Sequence, residues 1–430
     1  MPKNNQALMA VIGTCIAIFW PGALTFGFPG VMASLWQEMF SVGRAATGLT
    51  IFFMLAAVGT FMFLVGRWQE NWGLRSMMAL GVVLTALSSF IVSSATTIYT
   101  VYAWAALNGM ASCFVYVPAL TLVQWYYPQK RGLVAGTVSM VFGLSAAIMS
   151  PIFGEMLDVL GYRNLNLTAA AFTLSIGLFG AYFARAPHAW ETAALARRAT
   201  NAAIRTGPKE DRPIAKAGTG QGSGGEIMLG GRSFTVNESL HTRSFWMLWV
   251  TWTLAGAAGV SMTILATSYG LFLGFSLSSA ILLLTAFNLT NGVSRLASGI
   301  LSDRIGRNRV MSLAFMASGI AYLALPWADM LWSCALLAAV VGFAFGTLFS
   351  VSAPLVADCF GLDHFGAIFG LTFAAYGFVA GPLGPTLSGL LLDITENNYT
   401  LVFLYLGVFS LLAAYCVLRV VPPDKSTPNR

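Results

Sequence analysis

Arg295 stands in the apolar run NLTNGVSRLASGILSDRIGR, residues 288–307, eight residues before Asp303. A guanidinium keeps its proton at physiological pH, and its planar fork matches both oxygens of a carboxylate, which the point charge of a lysine does not. If this run crosses a membrane, the arginine lies about 12 Å in from its end at 1.5 Å per residue, near the midplane. Burial there costs at least about 2.5–3.5 kcal/mol, so an anion has to offset it. A fixed ion pair inside the protein would serve. Yet apart from Glu155 and Asp158, near the outer end of their span, no Asp or Glu falls well inside an apolar run. An anionic substrate is therefore the expected partner. Asn291, one turn earlier on the same face, can orient the guanidinium, hydrogen-bond the substrate, or make a helix–helix contact.

The elements that must position Arg295 follow from composition. The 430 residues are 57% hydrophobic and 9% charged, against roughly 25% charged in an average soluble domain. A helix needs about 20 apolar residues to cross the bilayer. Twelve runs of that kind occur, from 8–35 to 398–420. Lipid leaves no partner for unpaired backbone, and the ten-residue alternation of a membrane barrel is absent, so an all-α membrane protein with twelve transmembrane helices is expected. The net charge of +7 could suggest a polyanion partner. With both termini on one side, however, 20 of the 23 Lys and Arg fall on that side, and only Arg44 and Arg163 on the other. The positive-inside rule makes the basic side cytoplasmic and accounts for the charge without nucleic acid. The five cysteines show no metal or disulfide spacing, and His188, His241 and His364 all map to cytoplasmic loops. No metal, cofactor or catalytic nucleophile is indicated, so an enzyme is not expected.

Between 186 and 243 the chain turns polar and Gly-rich, as in KEDRPIAKAGTGQGSGGE. This predicts a cytoplasmic linker between an N-terminal six-helix half, 1–185, and a C-terminal half, 244–430. The halves echo each other. GRWQENWGLR, 66–75, follows span 2 and GILSDRIGRN, 299–308, ends span 8, aligning Gly66, Glu70 and Gly73 with Gly299, Asp303 and Gly306. Such duplication marks parallel-repeat transporters with a site between the halves. In the second copy Gly299 would let two helices approach closely, Asp303 would accept hydrogen bonds from a neighbouring helix end or arginine, and Arg304 and Arg307 would face the inner surface. Together they read as a gating latch.

The signature G-x-x-x-D-R-x-G-R on six plus six spans resembles the major facilitator superfamily. VYVPALTLVQWYYPQKRGLVAGTVSMVFG, 115–143, SFWMLWVTWTLAGAAG, 244–259, and the run around Arg295 resemble its oxalate:formate antiporter and monocarboxylate transporter branch. The resemblance implies Arg295 as a substrate-binding arginine, Tyr116 as a substrate-binding tyrosine, and lining positions at Phe142, Phe345, Phe349, Phe373 and Tyr376. Phe345 and Phe349 are also four apart, hence on one helix face. Thr25 and Phe28, in the Pro- and Gly-broken span 1, are further candidates. Oxalate exchangers of that branch carry a lysine where Tyr376 stands, and without that second cation a dianion would keep one carboxylate unpaired. A small monocarboxylate such as lactate or pyruvate is the expected substrate. Asn291 replaces an aspartate of proton-coupled members, which leaves two options: a proton that travels with the substrate carboxylate, or anion exchange. The expected protein is an alternating-access carrier, working as a monomer in a bacterial inner membrane with both termini cytoplasmic.

Overall fold

The computed structural model describes residues 3–127, 131–186, 234–361 and 364–423; the expected linker at 187–233 lies outside them. The described residues are helical throughout, with no strand. Span 1 is Lys3–Phe26 continued by Phe28–Phe40 after a break at Gly27. Spans 2, 3 and 4 are Arg44–Trp72, Leu74–Val92 and Ile98–Tyr126. Spans 5 and 6 form one run, Arg131–Phe183, that turns at Gly161, where φ is 72°, a left-handed conformation glycine adopts without steric cost. The second half holds span 7 (Arg243–Phe272), span 8 (Leu277–Ile305), span 9 (Arg307–Ala324) and span 10 (Leu331–Phe360). Span 11 runs from Phe365 to Ile394 and span 12 is Tyr399–Leu418. Twelve spans result, as the hydropathy predicted.

Three span pairs join the halves: span 5 with span 8, span 2 with span 11, and the second part of span 1 with span 7. Small residues set the distance of the first pair. A Cβ on Gly143 would lie 2.8 Å from the Gly292 Cα and 3.3 Å from the Arg295 Nε, so the two backbones cross in contact beside the arginine. Gly143→Val is expected to force them apart and lower stability by about 1–3 kcal/mol, the cost of overpacking. A thermal melt of the purified variant checks this; an unchanged midpoint would mean the crossing is loose.

The two membrane faces differ. On the face away from the termini, the Asp393 carboxylate at the end of span 11 accepts from the backbone N–H groups of Arg44 and Ala45, at 2.9 and 3.0 Å. It thereby caps span 2, where four orphan donors and a positive dipole end favour an anion. A Cβ on Gly48 would lie 2.7 Å from the Pro385 carbonyl carbon. This seam is closed. On the face of the termini, a Cβ on Gly66 or Gly299 would meet no atom within 4 Å. The close approach expected of these glycines is thus not made in this conformation, in which the loop motif stands open. Arg307 instead pairs with Asp358 of span 10, and among the described residues Asp303 and Arg304 form no ion pair. The Glu70 side chain lies outside the described residues.

The end of the expected linker is not featureless. Val236–Leu240 forms a short helix with a capping box between Thr235 and Glu238, and the Phe234 N–H donates to the Phe360 carbonyl at 2.9 Å. The S/T-x-x-E pattern TVNE announces such a cap, and the polar character of the preceding stretch masked it.

Candidate functional site

A cavity of about 200 Å³ lies between the halves. Its lining reaches from Thr25, in the middle of the bundle, to Met62, Leu120 and Phe369, toward the face of the termini. Arg295 is the one charged side chain among the described residues that line it. It is 3% exposed.

The guanidinium is held from several directions. Its Nη1 donates to the Ser139 hydroxyl at 3.0 Å. Nε and Nη2 both donate to the Asn291 Oδ1, at 3.4 Å each, from one turn earlier on span 8. Three rings surround the cation, Phe349 at 4.7 Å, Phe26 at 5.8 Å and Phe142 at 6.0 Å from Cζ to centroid. Such contacts are worth about 2 kcal/mol or more when desolvated. No carboxylate reaches Arg295 among the described residues, as the acid census predicted. Neutral dipoles and π-faces solvate the charge without cancelling it, so its capacity to pair with an anion is retained.

Ser139 joins the two halves at this point, because its hydroxyl also shares a 3.0 Å hydrogen bond with the Tyr116 hydroxyl. Ser139→Ala is expected to free the Arg295 and Tyr116 side chains and weaken ligand binding about three- to tenfold, one hydrogen bond to a charged group being worth about 1.5–3 kcal/mol less the water that replaces it. Titration of the purified variant against the wild type reads the change. Wild-type affinity would make Ser139 a bystander.

Local backbone features explain how the rings arrive. In span 1 the Thr25 hydroxyl donates back to the Pro21 carbonyl at 2.7 Å, and the break at Gly27 separates Phe26, which faces Arg295, from Phe28. Phe28 packs with Trp36, Trp104 and Phe153 instead, so of the two span 1 candidates only Thr25 lines the cavity. In span 11, Pro382 and Pro385 remove backbone donors, and the helix widens to π-turns over Tyr376–Ala380 and Pro382–Thr386. Turns of this kind cluster at functional positions. Tyr376, at the first of them, lines the cavity, and its buried hydroxyl has no hydrogen-bond partner among the described residues.

Of the positions expected from sequence, Arg295, Tyr116, Phe142, Phe349, Phe373 and Tyr376 meet at the cavity. Asn291 touches it through Arg295. Phe345 stands one layer back, at 5.2 Å from Phe349, 5.9 Å from Phe26 and 5.8 Å from Phe287. Missed were Phe26, Leu55, Val58, Met62, Leu120 and Phe369 on the lining, and Ser139 and Trp252 behind it. Ser139 is three residues before Phe142 and so on its face of the helix, which was a usable signal. Trp252, with Phe373 at 4.9 Å, Phe349 at 5.3 Å and Tyr376 at 5.8 Å, gave none beyond its place in an aromatic-rich span.

Twelve spans in two halves around one central, singly charged cavity have the architecture of a membrane carrier. The family model of the Major Facilitator Superfamily matches residues 10–285 and 247–430, and the chain belongs to that superfamily. It is 23% identical over 362 residues to the oxalate:formate antiporter of Oxalobacter formigenes, covering 83% of this chain and 78% of that one. It is 25% identical over 353 residues to monocarboxylate transporter 13 of Rattus norvegicus, covering 81% and 74%. An uncharacterized transporter of the same superfamily in Escherichia coli K12, YhjX, is 25% identical over 389 residues, 87% of each chain. Two of these relatives are thus an oxalate:formate antiporter and a monocarboxylate transporter, the branch that the sequence motifs resemble. The fold matches the nucleoside transporter NupG, with a TM-score of 0.68 at 14% identity over 96% of this chain and 99% of that one. A bacterial homologue of the human lysosomal transporter Spinster gives 0.70 at 13% identity over 97% of each.

Proposed function

We propose that the protein carries small monocarboxylates across a bacterial inner membrane by alternating access, with the carboxylate paired to Arg295. The observation that carries this reading is the single desolvated guanidinium on the cavity lining with no carboxylate beside it among the described residues. Its fork fits one carboxylate bidentately. A dianion would need a second cation, and Tyr376, at the place where oxalate exchangers of this branch keep a lysine, supplies none.

The excess of Lys and Arg on the face of the termini supports a cytoplasmic location for that face. The chain is proposed to act as a monomer, each copy holding its own cavity. The two halves rock about the site, while the loop motif of Gly66, Glu70, Gly299, Asp303, Arg304 and Arg307 closes the cytoplasmic face when the seam of Asp393 opens. Because no Asp, Glu or His is found among the described lining residues, a co-transported proton would travel with the substrate carboxylate. Uptake of labelled lactate into proteoliposomes is expected to rise when the outside is made more acidic than the lumen. Uptake that needs a counter-anion inside and ignores the pH gradient would replace symport by exchange. The ring-lined cavity also favours a second reading, export of an amphipathic aromatic compound, which tight binding of neutral aromatics would support.

A further inference from the structure

We propose that the monocarboxylate this cavity prefers carries an aromatic or branched apolar body of about six carbons, as in benzoate, rather than the single methyl of acetate or the short body of lactate. The proposal rests on the reading of Arg295 as the carboxylate partner. Apart from the guanidinium and the hydroxyls of Thr25, Ser112, Tyr116 and Tyr376, the walls are apolar and come from opposite halves. Leu55, Val58 and Met62 of span 2 stand on one side, Phe369 and Phe373 of span 11 on the other.

The room available favours the larger body. An apolar cavity of roughly 150 Å³ admits a benzene ring, and the space here is about 200 Å³, enough for a ring with the carboxylate attached. A two- or three-carbon acid on Arg295 would leave the span 2 and span 11 walls without a partner. Each carbon moved from water to such walls is worth about fourfold in affinity, so the difference is not small. Ring geometry fits as well. Phe349, Phe373 and Tyr376 already stand 5.4–6.2 Å from one another, the spacing at which aromatic rings attract edge to face, and a further ring between the halves would continue that arrangement.

The test is isothermal titration of the purified full-length chain with acetate, lactate, isovalerate, benzoate and the neutral isostere benzamide. Benzoate, about four carbons larger than lactate, is expected to bind at least about tenfold more tightly, and isovalerate, about two carbons larger, at least about fourfold more tightly, the added buried carbons being set against partial losses of side-chain freedom. Val58→Phe, which fills part of the cavity, is expected to reduce the preference for benzoate over acetate to below about threefold; should that variant fail to fold, Leu120→Phe serves the same purpose. Lactate binding as tightly as benzoate, or a preference that survives both substitutions, would overturn the inference and leave the carboxylate reading standing. Benzamide binding as tightly as benzoate would overturn the carboxylate reading itself.

Discussion

Arg295→Gln is expected to weaken carboxylate binding about thirtyfold or more while leaving the protein about as heat-stable as the wild type. The two effects separate because the guanidinium is solvated by a hydroxyl, an amide oxygen and three rings rather than by an acid. Removing one partner of a buried charge pair formed with the ligand costs about 2–5 kcal/mol of binding, some thirtyfold to several thousandfold. Removing the same charge from the folded protein relieves a burial cost of at least about 2.5–3.5 kcal/mol. If Arg295 instead held a fixed ion pair, the substitution would strand a buried carboxylate and lower the melting point. Arg295→Lys keeps the charge but loses the fork, so it should bind carboxylates about tenfold more weakly and discriminate less between them. Wild-type affinity in both variants, measured by titration, would remove Arg295 from the site.

The second large effect is expected at the seam between spans 2 and 11. With a Gly48 Cβ only 2.7 Å from the Pro385 carbonyl carbon, Gly48→Leu has no room when the seam is closed, and the carrier should be wedged open on the face away from the termini. Transport should fall below about a tenth of the wild-type rate, because an overpacking cost above about 1.4 kcal/mol already shifts the equilibrium tenfold. A cysteine placed at Leu55 in a cysteine-free background should at the same time react faster with an impermeant thiol reagent added from that face. Asp393→Ala should act in the same direction but less strongly, since losing a helix cap costs about 0.5–2 kcal/mol. Labelling that is unchanged in both variants, with transport intact, would mean that these spans need not meet during the cycle.

Much of the fold was legible because lipid imposes a simple length rule: an apolar run either spans or it does not. Arg295 was legible for the same reason, a charge in such a run being costly enough to demand an explanation. The aromatic neighbours were harder. In a span that is apolar all round, lipid-facing and cavity-facing phenylalanines look alike, and only the family resemblance separated Phe349 and Phe373 from rings elsewhere. Phe345 shows the limit of a face argument, since one turn along the helix was enough to set it behind Phe26 and Phe349 rather than on the cavity. Ser139 eluded the reading because its role lies in a contact 156 residues away, and Asp393 because an acid at a loop edge reads as solvated until its two N–H partners from span 2 are known.

A lone cation in the carrier also has a consequence for voltage. Arg295 stays with the protein and returns at the end of every cycle, so the net current per turnover equals the charge of whatever it carries. A carboxylate moving alone would carry current, and one moving with a proton would not. Between turnovers the guanidinium itself senses the field, by as much as about 2.3 kcal/mol per 100 mV if the full potential drops across it. In the proposed orientation, a negative interior draws that charge toward the cytoplasm. The membrane potential would then hold the waiting carrier with the Asp393 seam shut and its cavity turned inward.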